Sequence, residues 1–316
     1  MIHRSRQTCI LMMISGIALH AAPPDFKIGP VPGGRLKVFK KQFTQYTNVF
    51  GIHLFATKDS PPDKFRHMAI ILAEYLDNDE DGEPDNPMVI KTMVHKDAFL
   101  MMTKNERAMA RLDHDVFQYK GFHHGVGQFA TDTKPGNGEF DATLEEVLHL
   151  ITSIGYANTY PKVFGEHQGS ILAQCLDQAR GGQFQRVPRK YPKDAWFTYD
   201  DRTCDYPCQC TEYIYWAITS VLGAQENPRR HEVIQHEWRL YNRELVRTRD
   251  PHIYKLITDP EYKLPSRLPD GKYTLGKSKS SLFKPDLDLI KPRLKDRDGR
   301  LSSTNHPVNS PKSTHN

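Results

Sequence analysis

Apolar residues recur at helical spacing through Phe65, Met68, Ala69, Leu72 and Leu76, and this predicts a helix with Ser60 as N-cap and Pro61 as its first residue. A second stripe, Leu144, Val147, Leu148, Ile151 and Ile154, predicts a helix over 143–154 with Glu145, Glu146, His149, Thr152 and Ser153 on its other face. Residues 211–223 are apolar on every side apart from one charge, Glu212, and predict a largely buried helix. Further helices are expected over 168–179, closed by Gly181 and Gly182, and over 230–248. Strand character is confined to the first third, at Leu36–Phe39, Val49–Ala56 and Met88–Val94, while glycines between Lys120 and Phe140 predict a loop. Strands first and helices afterwards predict the α+β class. With no Gly/Ser-rich linker to divide it, the body should be a single helix-rich domain with a small N-terminal sheet, over residues 23–276.

The ends differ from the body. Residues 1–22 are read as a secretory signal peptide, with Arg4 and Arg6 ahead of an apolar run from Cys9 to Leu19 and an Ala21-Ala22 exit. That run is too short to span a bilayer, and no later stretch is long and apolar enough, so no membrane span is expected and the chain should be secreted and extracellular. Residues 277–316, rich in Ser, Pro, Lys and Arg, are expected to be a disordered basic tail able to meet acidic polymers or extracellular matrix, a plain solvated terminus being the competing reading. The formal charge of +5 comes from these ends: two Arg lie in the first segment, and nine Lys/Arg face four Asp in the last. The body between has 32 basic and 34 acidic side chains, which gives no reason to invoke nucleic acid. Beyond Cys9 the cysteines form an even set, Cys175, Cys204, Cys208 and Cys210, and an oxidising compartment predicts two disulfides, with Cys208–Cys210 the least favoured pairing. A zinc knuckle is the rival use of these thiols.

Six of the nine residues from Asp77 to Asp85 are acidic and none is basic, and the preceding helix would aim its negative end at them. A divalent cation corrects that sign. Oxygens from Asp77, Asp79, Asp81 and Asp85, with Gly82 for the turn, have the spacing by which a short loop wraps calcium. The loop resembles those of thrombospondin type 3 repeats and dockerins. It departs from an EF-hand because Met88 stands where the bidentate Glu would be, which predicts weak binding suited to extracellular calcium. The competing reading is a solvated acidic turn.

Glu145 and His149 are four apart and would stand one above the other on their helix. The run Glu145-Glu146-Val147-Leu148-His149 resembles the His-Glu-x-x-His of zincin hydrolases, with Glu145 in place of the first His. The resemblance implies zinc or another transition metal at Glu145 and His149, Glu146 as catalytic general base, and a third ligand from a downstream helix. Glu212 is the candidate, because a carboxylate among apolar residues needs a partner, a proton or a metal. Glu166 and His167 are alternative third ligands, and His123 and His124 a further pair. Loss of the first His puts ordinary zinc peptidase activity in doubt. Against the metal stands a capping box from Thr143 and Glu146, which would leave Glu145 and His149 as a helix-surface pair. Trp196 and Tyr199 offer stacking surfaces for carbohydrate, although core packing is the commoner use.

Serine-hydrolase, phosphate-loop and dinucleotide fingerprints are absent from the sequence. The segments Tyr75–Asn86, Phe140–Gly155 and Tyr199–Ala224 resemble a family of secreted proteins of unassigned activity, which implies one exported domain and no particular reaction. Two expectations follow. One is a secreted calcium-binding protein with a degenerate zincin-like second metal site and, if it is an enzyme, metal-dependent hydrolysis. The other is a non-catalytic component of an extracellular, mineralised matrix. Convergence of Glu212 on His149 is the feature that separates them.

Overall fold

A hairpin of β1 (Gln45–Val49) and β2 (Ile52–Ala56) opens the sheet in a computed structural model that describes residues 23–276 apart from 116, 118–120 and 137–138. The expected signal peptide and basic tail lie outside the described residues. β3 (Phe99–Thr103) and β4 (Gly125–Phe129) complete a four-stranded sheet in the order β1-β2-β3-β4. The hairpin is antiparallel, with Tyr46 opposite Phe55, and the other two pairs are parallel, with Leu54 beside Leu100 and Leu100 beside Val126. The fold is α+β, with the helices filling one side of this mixed sheet.

Side-chain alternation divides the core. Ile52, Leu54, Ala56, Leu100 and Met102 face the helices, while Phe55, Phe99 and Met101 point the other way, into a smaller aromatic cluster with Phe39, Phe43, Phe117 and Phe122. Phe39 stacks on Phe55 with centroids 4.0 Å apart. Leu36–Phe39 is not a strand: Gly34–Lys41 is a 3₁₀ helix, and burial of Leu36 and Phe39 follows its three-residue period. Val49–Ala56 is not one strand either, because Phe50 and Gly51 take positive φ and turn the chain between β1 and β2.

Helix α1 (Pro62–Leu76) buries the predicted stripe. Its start is one residue later than expected, and Ser60 does not cap it: the hydroxyl donates instead to the Met102 carbonyl at 3.1 Å. Met88–Val94, expected as a strand, lies within helix α2 (Pro87–His95). Asn86 caps it by accepting from the Val89 amide, Pro87 opens it, and Val89 and Met93, four apart, form its buried face. Helix α3 (Thr143–His149) continues directly as a π-helical segment, Leu150–Tyr156. There Gly155 lets α2 approach, since a Cβ would stand 2.7 Å from Val89 Cγ1.

Helix α4 (Ile171–Arg180) ends at Gly181 in the left-handed conformation, as expected. Helix α5 (Tyr206–Val221) starts five residues earlier than predicted, with Asp205 as N-cap accepting from the Cys208 amide. The long helix expected over 230–248 is broken into α6 (Pro228–Ile234) and α7 (Arg243–Arg249), followed by α8 (Pro251–Ile257). Trp238 in the break is fully buried, its indole N–H shared between Ser220 Oγ and the Leu240 carbonyl, both at 2.9 Å. One disulfide forms, Cys204–Cys208, with Cα atoms 5.3 Å apart across the start of α5. The expected second does not: Cys175 and Cys210 are buried free thiols.

Candidate metal centre

Two helices bring the cluster together. Glu145 and His149 come from successive turns of α3, Glu212 from α5, and the two helices pack side by side. One ligand atom from each of the three lies within 4.8 Å of the others. His149 Nε2 is 3.5 Å from Glu212 Oε2, too long for a good hydrogen bond, and this nitrogen is buried with no hydrogen-bond partner. Donor atoms held roughly 2.1 Å from a tetrahedral ion stand about 3.4 Å apart, so the His149–Glu212 separation fits a shared zinc-sized cation. The polar face of α3 therefore turns Glu145 and His149 toward α5 and leaves Glu146 partly exposed. The capping box does not form: Ala142 is the N-cap residue, and Thr143 is buried with its hydroxyl directed to Thr133 Oγ1 at 3.3 Å.

Charge is concentrated here. Burial pushes the Glu145 carboxyl up to about 7, with His149 and Arg230 pulling it down and Glu212 and Glu146 adding to the rise. Burial opposes the His149 cation, yet Glu146, Glu212 and Glu145 together outweigh it and hold the imidazole up at about 10. A proton on His149 and a divalent cation are thus two answers to the same excess of negative charge.

A second layer ties the two helices. Glu166 accepts from Ser153 Oγ at 2.9 Å and from Thr211 Oγ1 at 2.7 Å, the first one turn beyond His149 and the second next to Glu212. Both its oxygens are engaged, so it braces the site in place of serving as third ligand. His167 is exposed and bonds the Gln168 carbonyl, and His124, its pKa lowered by burial and by Lys96 and His123, belongs to the surroundings of β3. The Tyr215 ring meets His149 edge-on at 5.3 Å. Glu146 lies on the Nδ1 side of His149 at 3.8 Å, whereas Nε2 is the nitrogen nearest Glu212.

Sequence reasoning missed a neighbouring group, Asp200, His236 and Glu237, whose ligand atoms also fall within 4.8 Å of one another. No spacing joins residues 36 apart. Backbone pairing joins them: Thr198 N–H donates to the Glu237 carbonyl at 2.7 Å, and Arg239 N–H to that of Trp196 at 3.1 Å. Burial raises the pKa of Tyr199 strongly, with Glu212 of the first group and Glu237 of the second adding to it. Trp196 is not a stacking platform, since its indole N–H is tied to Asp250 Oδ2 at 2.8 Å and the ring packs on the core.

The acidic loop is also gathered. Asp77, Asp79 and Asp81 each place an oxygen within 4.8 Å of the others. Asp85 turns instead to the Asn78 amide at 2.6 Å and stands outside that group, its carboxyl pushed up to about 6 by burial and by the other three aspartates against that hydrogen bond. Asp77 accepts from the Asp81 amide at 3.1 Å, the Gly82 amide at 2.8 Å and the Tyr273 hydroxyl. Tyr273 belongs to a strap, residues 266–276, that wraps the loop: Asn78 Oδ1 accepts from the Ser266 and Arg267 amides, and Glu80 from Thr274 at 2.6 Å.

No protein-family model, no curated protein and no solved structure matches this chain. No helix among the described residues is long and apolar enough to cross a membrane.

Proposed function

We propose that this is a secreted metal-dependent hydrolase whose centre is held by Glu145, His149 and Glu212, with zinc or another transition metal as the ion. One observation carries the reading: the buried His149 Nε2, without a hydrogen bond, lies 3.5 Å from Glu212 in a group whose third member, Glu145, places a ligand atom within 4.8 Å of the other two. A bound ion would supply Lewis acidity and a nucleophile at neutral pH. The chain's own groups do the rest. Glu166 fixes the two ligand helices to each other, Tyr215 limits rotation of the imidazole, and Glu146, about a third exposed beside Nδ1, has to turn toward the Nε2 side to take the proton as general base. The proximity of Glu212 to His149 favours this over a non-catalytic matrix component. In the same reading the Asp77, Asp79 and Asp81 loop, with Asp85 near it, binds calcium and acts on stability.

Elemental analysis of protein purified without chelator tests the centre. About one transition-metal equivalent per chain is expected, lost in His149→Ala. A metal-free wild type overturns the reading. Glu146→Gln is expected to keep the metal and abolish turnover, whereas metal loss there would assign Glu146 to orienting the His149 ring.

A further inference from the structure

Arg230, on α6, borders the centre as a fixed cation. Its guanidinium carbon lies 3.6 Å from the centroid of Phe140 and 5.4 Å from that of Trp216. Its Nε donates to Gln225 Oε1 at 2.9 Å, and the buried Gln225 is oriented in turn by Thr219 Oγ1 at 3.0 Å. Two aromatic faces and one tied nitrogen fix the plane of the fork. Trp216 is one helical turn beyond Glu212, roughly 6 Å along the axis, so the guanidinium stands beside the ligand cluster. Its charge acts on Glu145 and Glu237. Among the described residues no carboxylate forms an ion pair with Arg230. A rigid fork with uncommitted terminal nitrogens next to a cation site has the geometry to receive a planar anion through two parallel hydrogen bonds.

We propose that Arg230 is the substrate-positioning residue of this centre and receives a carboxylate group of the ligand, so that the site takes acidic substrates. The inference rests on the metal-centre reading. Two probes with the same chelating head separate them: succinic monohydroxamate, which ends in a carboxylate, and butyrohydroxamate, which ends in a methyl group. Titration calorimetry on zinc-loaded wild type should show the carboxylate probe binding about tenfold tighter or better. In Arg230→Gln that advantage should fall below about twofold with zinc content unchanged, and Arg230→Lys, which keeps the charge without the fork, should retain part of it. Arg230→Lys also gives the comparison if Arg230→Gln fails to fold.

Equal affinity of the two probes in wild type, or an advantage that survives in Arg230→Gln, overturns the proposal. An equal loss for both probes does so too, since it would mark Arg230 as support for Glu145 alone. If the chain takes up no zinc, or if neither hydroxamate binds the zinc-loaded wild type, the metal-centre reading fails and this inference falls with it.

Discussion

The acidic loop and the α3–α5 centre both crowd carboxylates together, but they deal with the charge in different ways. In the loop, backbone amides do much of the work: Asp77 accepts two, Asp85 one, and Glu80 another from the strap. Hydrogen bonds to the charged form are what let carboxylates share a small volume without a counter-ion. The centre has no such supply, because its carboxylates stand on helix faces whose amides are spent within the helices. Its compensation is one imidazole and the charge of Arg230, and Nε2 of that ring is left without a hydrogen bond. A dense acidic motif is therefore not the stronger sign of a cation. An unsatisfied buried nitrogen within a cluster of carboxylates is.

Four experiments would break or sharpen that contrast. The largest effect is expected from chelation in calcium-free buffer: if an ion at about a hundred times its Kd fills the centre, stripping it costs about 2.7 kcal/mol, seen as a fall in melting temperature for wild type and none for His149→Ala. Next comes Cys208→Ser. Closing so short a loop is worth about 2 kcal/mol on the chain-entropy account, and Cys208 lies one turn before Glu212, so metal affinity at the centre should weaken together with stability while any calcium response is unchanged.

Calcium should matter less. Millimolar calcium is expected to stabilise the protein by about 1 kcal/mol, an increment absent in Asp79→Asn, and a melting temperature indifferent to calcium would leave the loop as an amide-stabilised turn. The smallest effect is a pH slope at Glu74, which neighbours the loop. Burial raises its carboxyl to about 7, with Asp270 adding to the rise and the Gly271 and Lys272 amides opposing it. The folded chain then binds a proton that the unfolded chain has released, so this contribution is full below the ordinary carboxyl value of 4.5 and is lost as pH rises through about 7. Denaturation of Glu74→Gln at several pH values should show a flatter profile across that window than wild type.

Sequence patterning was most informative where one period ruled a long segment. The stripes of α1 and α3 were legible because burial selects one face of each. Residues 88–94 misled because their β-prone side chains outweighed the signal at Asn86-Pro87, which caps and opens α2. β3 was overlooked for the opposite reason: it is paired in parallel on both sides and buried at every position, so it shows no alternation. β4 was read as loop on account of its glycines. In place they allow close approach, since a Cβ on Gly125 would fall 2.2 Å from Phe99 Cζ. The helix over 230–248 ignored Asn242, which caps α7 through the Leu245 amide at 2.9 Å.

The centre divided along similar lines. Glu145 and His149 were visible as a local spacing, and Glu212 as a charge out of place on an apolar helix. Arg230, Tyr199 and the Asp200, His236 and Glu237 group depend on contacts between distant segments, for which no local pattern exists.

The strap over the acidic loop sets an order of events during synthesis. The amide that Glu80 accepts belongs to Thr274, 194 residues further on, and the hydroxyl that meets Asp77 is 196 residues away. A nascent chain therefore emerges with its most acidic turn uncovered and keeps it so until almost the whole body has left the ribosome. Closure of that turn is a late checkpoint, and a product truncated before residue 266 would carry the open turn permanently.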